Sequence, residues 1–286
     1  MNGAIGIIAL DLDGTLLTSD KRLSGRNRAA LARAAAAGAH IVPTTGRFFD
    51  MMPAEVRDLE FVRYAITVNG AEVFDRATGE AVVREEIPLA DALGLMELLD
   101  RHDVVYDCYR GGWGWMTGAL RDKAAGYATD EHYLSMIREF RRPVPELKAH
   151  LRATAAEGDV QKVMLFARND DRAAAVGELR GVAGEIAAQF PGVKVTSSTW
   201  NNLEINAAAA DKGGALRRLA GLLGMTLAEC MAFGDGMNDL SMVKAAGLGV
   251  AMANACEEVK RAAKWIAPSN DDDGVAKGVE KWMFSE

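Results

Sequence analysis

Residues Ile7–Leu17 read IIALDLDGTLL, and this stretch decides the fold that the sequence predicts. Its first four residues form an uninterrupted apolar run, which is typical of a strand with both faces covered in a parallel sheet. Asp11 and Asp13 point to the same side of an extended backbone, and Gly14 allows the chain to turn beyond them. Two carboxylates this close are tolerated most easily with a divalent cation between them or with one protonated. The stretch therefore indicates metal or acid/base chemistry at a strand end, with a solvated acidic turn as the alternative interpretation.

Apolar strands alternate with helices beyond this stretch, which predicts parallel strands joined by right-handed crossovers. The predicted strands are His40–Val42, Tyr64–Val68, Leu203–Ile205, Cys230–Phe233 and Leu248–Met252. The predicted helices are Gly25–Ala37, Asp50–Leu59, a segment following Asp211–Gly214 to about Leu223, Leu240–Ala246 and Val275–Met283. The fold class that follows is α/β, with a doubly wound (Rossmann-like) parallel-sheet core.

This alternation of strands and helices is interrupted in the middle of the chain. Ala71–Phe74 and Glu80–Arg84 are predicted to form a hairpin, and the mixed helices and strands after it resemble a self-contained α+β insertion. Arg142–Pro145, which reads RPVP, is predicted to be the clearest linker in the insertion. The predicted domains are a core of residues 1–86 and 204–286 and an α+β domain of residues 87–203.

Composition and charge exclude several classes of protein. The 286 residues are 49% apolar and 26% charged, as in an ordinary globular protein. The net charge of -7 argues against a general nucleic-acid binder, so any phosphate-bearing ligand must be held by a local cluster or a metal. Cys108, Cys230 and Cys256 form no CxxC pair, which favours unlinked thiols in a reducing compartment. No apolar run suits a signal peptide or a membrane span, so we expect a cytoplasmic protein without a membrane partner.

Polar clusters follow three predicted strands at their carboxyl ends, where doubly wound sheets bind ligands. Besides the pair of aspartates, these are Thr45-Gly46-Arg47, which could bind an oxyanion, and Gly234–Asp239, which reads GDGMND. If the first strand lies between the other two, the strand ends are about 5 Å apart. One Mg²⁺ could then bridge Asp11 and Asp235, and Lys212 at a helix N-terminus would add positive charge. The alternatives are an ordinary Thr/Gly turn and a solvated surface lysine.

Four motifs, in this order, resemble those of the haloacid dehalogenase-like superfamily. They are Asp11–Leu17 (DLDGTLL), Thr45-Gly46-Arg47, Lys212 and Gly234–Asp239. The position of the insertion and the stretches NGA at 69–71, MANA at 252–255 and DGVA at 273–276 resemble the Cof-type sugar-phosphatase branch. The resemblance covers both core segments and implies that residues 87–203 form an inserted cap domain.

The resemblance implies a magnesium-dependent phosphoric monoester hydrolase that acts on small phosphorylated metabolites, sugar phosphates first, through an aspartyl-phosphate intermediate. It implies that Asp11 attacks phosphorus and that Asp13 protonates the leaving group and then takes a proton from water. Magnesium would be held by Asp11, the Asp13 carbonyl and Asp235. Lys212 would shield the nucleophile and the phosphate, and Asp239 would orient Lys212 or metal-bound water.

The resemblance also implies a set of phosphate-binding groups. Thr45, the Gly46 N–H and Asn238 would hold the phosphoryl oxygens, together with Lys212. Arg47 would either join them or form a structural salt bridge.

Two other functions stay open at this point. A phosphosugar mutase could use the same core if the phosphoryl group returned to sugar faster than to water. A catalytically silent phosphosugar-binding sensor would use the site for binding alone, but it has no need of Asp13 as an acid. In each case the partner is a small phosphorylated molecule and not nucleic acid, and a monomer or weak homo-oligomer is expected.

Overall fold

The computed structural model describes residues 5–285, and the elements named here lie within that range. The strands are β1 (Ile7–Asp11), β2 (His40–Thr44), β3 (Tyr64–Thr67), β4 (Glu72–Asp75), β5 (Glu80–Arg84), β6 (Val104–Arg110), β7 (Trp113–Thr117), β8 (Arg141–Val144), β9 (Lys162–Ala167), β10 (Val193–Thr196), β11 (Asn202–Ala207), β12 (Cys230–Gly234), β13 (Leu248–Met252) and β14 (Trp265–Ala267). The α-helices are α1 (Gly25–Ala36), α2 (Ala54–Arg57), α3 (Leu89–Leu99), α4 (Gly118–Lys123), α5 (Glu131–Phe140), α6 (Leu147–Ala153), α7 (Arg172–Gln189), α8 (Lys212–Leu222), α9 (Leu240–Ala245), α10 (Glu257–Ala262) and α11 (Gly274–Val279).

The chain divides into two compact units. Unit 1 consists of Met1–Arg84 and Ala210–Glu286, and unit 2 consists of Glu85–Ala209. The boundaries between the units fall at residues 84/85 and 209/210, whereas the sequence predicts them at 86/87 and 203/204. Within the part of the chain that the structure describes, none of the helices combines the length and apolar character needed to cross a membrane.

Unit 1 contains an eight-stranded sheet in the order β14-β13-β12-β1-β2-β3-β4-β5. The strands from β14 to β3 are parallel to their neighbours, and β4 and β5 extend the sheet as an antiparallel hairpin. The predicted doubly wound parallel sheet is therefore confirmed. β1 lies between β12 and β2, which is the order that brings the three predicted polar clusters to neighbouring strand ends.

Both faces of this sheet are covered, as the apolar run of β1 requires. Ile7 and Ala9 belong to one buried apolar cluster, to which α8 contributes. Ile8 and Leu10 point to the other side and belong to a second cluster, to which α1 and α11 contribute. Because successive side chains alternate between faces, all four residues are removed from solvent, and Asp11 is carried to the end of a rigid strand.

Unit 2 contains a six-stranded sheet in the order β10-β11-β9-β6-β7-β8. All its neighbouring strands are antiparallel except β7 and β8. Helices α4 and α5 lie near an apolar cluster that includes Val105, Met116 and Phe166 from three of these strands. The longest helix, α7, buries Leu179, Val182 and Ile186.

The strand predicted at Leu203–Ile205 does not belong to the parallel sheet. It lies within β11, which pairs antiparallel with β9 and β10 in unit 2. A strand buried on both faces has the same apolar character in either kind of sheet, so its composition cannot reveal its partners.

Two other predictions are wrong for reasons that involve proline. Arg142–Pro145 is mostly strand and not a linker, because β8 is the last strand of its sheet and Pro143 is tolerated on such an edge. The helix predicted at Asp50–Leu59 is reduced to a 3-10 turn at Phe49–Met51 and the short α2. Pro53 favours an extended backbone at the residue before it, which prevents one continuous helix.

Candidate active site

Lys212 links two aspartates from different parts of unit 1. Its ammonium donates hydrogen bonds to Oδ1 of Asp11 and Oδ1 of Asp239, each at 2.6 Å. The side chain of Lys212 is fully buried, so the alternative of a solvated surface lysine is wrong. Lys212 is the first residue of α8, whose N-terminus is capped by the side chain of Asp211 accepting from the Gly214 N–H. The helix start therefore holds the ammonium against the end of β1.

Asp239 anchors the loop that follows β12. While its Oδ1 accepts from Lys212, its Oδ2 accepts from the backbone N–H groups of Asp235 and Gly236, both at 2.9 Å. Because both oxygens are occupied by protein donors, Asp239 is poorly suited to be a metal ligand. It fixes the loop that carries Asp235.

Asp235 is held by the loop that follows β1. The hydroxyl of Thr15, which is fully buried, donates to Oδ1 of Asp235 at 2.7 Å. Gly14 has a φ of 84°, and a Cβ at this position would lie 2.6 Å from Oδ2 of Asp235. A glycine is therefore required here both by the turn and by the approach of the carboxylate.

Asp13 is bound by two cations. Arg47 donates to Oδ2 at 2.8 Å, and Lys21 donates to Oδ1 at 2.9 Å. Burial opposes ionisation of Asp13, but Arg47 and Lys21 outweigh it and hold the pKa of this carboxyl below its ordinary value. Arg47 thus forms a salt bridge, which is one of the two roles predicted for it.

The pKa values of Asp11 and Asp235 are shifted in the opposite direction. Burial raises the pKa of Asp11 well above its ordinary value, and Asp239 raises it further against the opposing effect of Lys212. Burial also raises the pKa of Asp235 to about 6. Burial favours the neutral amine of Lys212, but Asp11 and Asp239 outweigh it and raise the pKa of the ammonium. The mutual effects of Asp11, Asp239 and Lys212 on one another's pKa values show how closely these charges are packed.

The cluster is short of positive charge. Asp11, Asp235 and Asp239 each place one carboxylate oxygen within 4.8 Å of the others, and Lys212 is the ammonium bound to two of them. Three carboxylates against one ammonium leave two negative charges when all are ionised. Lys212 binds only Oδ1 of Asp11, and Thr15 binds only Oδ1 of Asp235, so each of these carboxylates has a second oxygen outside those bonds. A hard divalent cation fits these second oxygens of Asp11 and Asp235.

The predicted phosphate-binding residues lie at the ends of neighbouring strands. Thr45 follows β2 and is buried, with its N–H donating to the Ile66 carbonyl. A Cβ on Gly46 would lie 2.8 Å from Oδ1 of Asn69, so no side chain fits there without movement. Asn238 lies in the 3-10 turn after β12 and is exposed. Their roles toward phosphate stay predictions.

Some residues of the site were missed by the sequence analysis. Thr15 lies within the stretch Ile7–Leu17, but a hydroxyl beside an acidic pair carries no signal that it binds a third aspartate. Lys21 lies in a turn eight residues after Asp13, and no periodicity predicts that the chain folds back there. Asn254 lies in the MANA stretch at 252–255, but its hydrogen bond to the Gly14 carbonyl at 2.8 Å could be found only from the fold.

Comparisons with known proteins find relatives that match nearly the whole length of the chain. A sequence model of haloacid dehalogenase-like hydrolases matches residues 8–279. The chain is 29% identical to a 5-amino-6-(5-phospho-D-ribitylamino)uracil phosphatase of Bacillus subtilis over 98% of this chain and 96% of the relative. It is 30% identical to a pyridoxal phosphate phosphatase of Escherichia coli over 95% of this chain and 96% of the relative. A solved haloacid dehalogenase-like hydrolase from Bacteroides thetaiotaomicron matches with a TM-score of 0.80 and 31% identity, over 96% of this chain and 98% of that one.

Proposed function

The chain belongs to the haloacid dehalogenase-like hydrolase family and is a phosphatase, and we propose that it hydrolyses small phosphate monoesters, sugar phosphates first, through an aspartyl-phosphate in a magnesium-dependent reaction. One observation carries this proposal. Asp11 ends a rigid strand with Lys212 hydrogen-bonded to it, and the cluster that includes Asp235 still lacks positive charge. A site built in this way supports the binding of a cation and of a phosphate at the same place.

Asp11 is the proposed nucleophile. Its carboxylate would attack phosphorus and form an aspartyl-phosphate, which divides one difficult displacement into two easier steps. An anion approaching a phosphate dianion meets repulsion of about 4 kcal/mol per pair of unit charges at 4 Å and an effective dielectric constant near 20. Lys212, fixed by Asp239, offsets part of this repulsion because its ammonium already contacts the nucleophile.

Asp13 is the proposed acid and base. It would protonate the leaving alkoxide in the first step and take a proton from the attacking water in the second. For the first step the Asp13 carboxyl must carry a proton taken from solvent, which it gives to the leaving alkoxide. Arg47 and Lys21 then stabilise the resulting carboxylate, which is the form that accepts the proton from water. Asp13 is two residues from Asp11, so both carboxylates follow the same strand end.

Asp11, Asp235 and the Asp13 carbonyl are the proposed ligands of magnesium. The oxygen donor set of the site fits this ion, which takes one or two carboxylates together with other oxygens. When bound, Mg²⁺ supplies charge that stabilises the transferring phosphoryl oxygens. Asp239 is not a proposed ligand because Lys212 and two backbone N–H groups occupy its oxygens.

Thr45, the Gly46 N–H, Asn238 and Lys212 are the proposed phosphate-binding groups. Thr45 and Gly46 follow β2 directly beside the end of β1, since Asp11 is in register with Thr44. This register supports the proposal, because donors beside the end of β1 would be near the phosphoryl oxygens if Asp11 is the nucleophile.

A substrate panel tests the proposal. Phosphate release is measured from sugar phosphates, nucleotides, pyridoxal phosphate, flavin mononucleotide and 5-amino-6-(5-phospho-D-ribitylamino)uracil, with Mg²⁺ and with a chelator. We expect release from at least one compound, a loss of about 100-fold or more on chelation, and recovery when Mg²⁺ is restored. Release that persists after metal removal would contradict the magnesium requirement. An isomerised phosphosugar without free phosphate would indicate the mutase, and binding without any turnover would indicate the sensor.

Thr15→Val is expected to weaken the metal site without unfolding the protein. Valine keeps the volume of threonine but cannot donate to Asp235, so the carboxylate loses the partner that orients it. Loss of such an orienting bond typically costs 10–100-fold in metal affinity or activity. We therefore expect the Mg²⁺ concentration for half-maximal activity to rise by about 10–100-fold, measured by titration at saturating substrate.

The matched control is Thr78→Val, which changes an exposed threonine of the same unit in the turn between β4 and β5. Its Mg²⁺ requirement should equal that of the parent. If Thr15→Val shows the parent's Mg²⁺ requirement as well, the assignment of Asp235 as a ligand oriented by Thr15 is wrong.

A further inference from the structure

The turn Thr18–Arg22 folds back toward the end of β1. The Thr18 N–H donates to the Arg22 carbonyl at 2.9 Å, and the Lys21 N–H donates to the Thr18 carbonyl at 2.8 Å. The turn thereby places the Lys21 ammonium 2.9 Å from Oδ1 of Asp13. No step of the proposed reaction uses this lysine directly.

The backbone of Lys21 is in a conformation that a long side chain rarely adopts. Its φ is 60°, and among residues 5–285 only three other non-glycine residues have a positive φ. Glycine would fit this position without strain, and asparagine or aspartate would be favoured over lysine. A lysine held there indicates that its side chain has a role which outweighs the backbone preference.

The turn is fastened at its other end by a residue from the C-terminal part of the chain. The Ser19 N–H and the Ser19 hydroxyl donate to Oδ1 and Oδ2 of Asp271, each at 2.7 Å. Asp271 lies in the 3-10 turn Asn270–Asp272, and neighbouring Asn270 donates to the Leu17 carbonyl at 3.0 Å. These bonds fix the turn independently of Lys21.

We propose that Lys21 is a positioning residue for Asp13, and that Asp271 holds the turn which presents Lys21. The proposal rests on the proposed function, in which Asp13 is the acid and base. Arg47 binds only Oδ2 of Asp13, and one such contact leaves the carboxylate free to rotate about its side-chain bonds. Lys21 on Oδ1 supplies the second contact, so the two cations together define the orientation of the carboxylate.

Stability alone does not account for this pair. The side chains of Lys21 and Asp13 are 53% and 37% exposed, and ion pairs this exposed contribute little to folding. The same ion pair can still be important for orienting Asp13, because an acid or base that is misplaced by a small distance loses much of its catalytic effect.

Lys21→Met keeps the length of the side chain and removes its charge. We expect kcat to fall about tenfold while KM changes by less than about twofold, since Lys21 is not proposed to touch the substrate. Lys21→Arg should recover most of kcat.

Asp271→Ala should lower kcat to a similar extent, because it releases the turn that presents Lys21. The double variant Lys21→Met/Asp271→Ala should be no slower than the slower single variant, because both substitutions act on the same turn.

Two controls separate positioning from folding. Arg22→Ala removes another cation from the same turn, one whose Nε lies 3.6 Å from Glu55, and should leave kcat unchanged. Lys21→Gly relieves the positive φ, so its melting temperature should equal or exceed that of the parent while kcat still falls. A kcat for Lys21→Met within twofold of the parent would overturn the proposal, as would an equal loss in Arg22→Ala.

A crystal structure of Lys21→Met decides the question without any activity. We expect the Asp13 carboxylate to leave its parent orientation or to occupy two rotamers, and an unchanged Asp13 would overturn the positioning role. If the parent hydrolyses no phosphate monoester, the proposed function fails, and the position of Asp13 in this variant still tests the inference about Lys21.

Discussion

Asp11→Asn is expected to abolish phosphate release, with a loss on the order of 10⁴-fold or more. The amide presents no anionic oxygen to phosphorus, so the aspartyl-phosphate cannot form. The fold should survive, because the amide oxygen can still accept from Lys212, and Lys212 keeps its bond to Asp239. Phosphate release under saturating Mg²⁺ and the melting temperature measure the two halves of this expectation.

Trapping the intermediate makes the test specific to the nucleophile. The parent is mixed with a substrate whose phosphoryl group is radiolabelled, and the reaction is quenched in acid. The parent protein should retain the label, and Asp11→Asn should retain none. Asp50→Asn is the matched control, since Asp50 is an exposed aspartate of the same unit, and it should form label at the parent's level. Undiminished turnover in Asp11→Asn would show that the phosphoryl group is not transferred to this residue.

The sequence predicts those residues of the site that lie at or just after the carboxyl ends of strands. Asp11, Thr45 and Asp235 all come within three residues of an apolar run, and parallel strands bring their carboxyl ends to one edge. Lys212 was predicted at a helix N-terminus, and α8 begins at that residue. The pairing of Lys212 with Asp239 follows from this arrangement once β12 and β1 are neighbours.

What could not be anticipated depends on contacts between segments far apart in sequence. The bond from Thr15 to Asp235 and the bonds from Ser19 to Asp271 each join residues more than 200 positions apart. Short-range patterns carry no information about such pairs. The same limit explains why β11 was assigned to the wrong sheet, since its burial is visible in the sequence and its partners are not.

Lys212→Met is expected to lower the free energy of unfolding by about 3–5 kcal/mol and to remove activity. The substitution leaves Asp11 and Asp239 buried together without the ammonium that separates them, and breaking a buried charge pair typically costs this much. Urea unfolding at pH 7 measures the change as a lower midpoint at an unchanged slope. Lys244→Met is the matched control, because Lys244 is exposed in the same unit, and its effect should stay within about 0.5 kcal/mol.

The pH dependence of this loss identifies its cause. The pKa of Asp11 is already raised by burial and by Asp239, and removing Lys212 takes away an effect that lowers it. A carboxyl whose pKa is higher in the folded state than in the unfolded state binds more protons when folded, so stability falls as pH rises. The deficit of Lys212→Met should therefore be largest near pH 7 and shrink as the pH is lowered toward 5.

A second substitution tests the same repulsion directly. Lys212→Met combined with Asp239→Asn removes one of the two buried charges while the amide oxygen can still accept from the loop N–H groups. The double variant should be less destabilised than the sum of the two single variants, because each substitution removes part of the cost that the other creates. If the losses instead add and the deficit is constant between pH 5 and 7, the lost packing of the lysine side chain accounts for the instability. That result would show that Lys212 does not stabilise the fold by balancing the charge around Asp11.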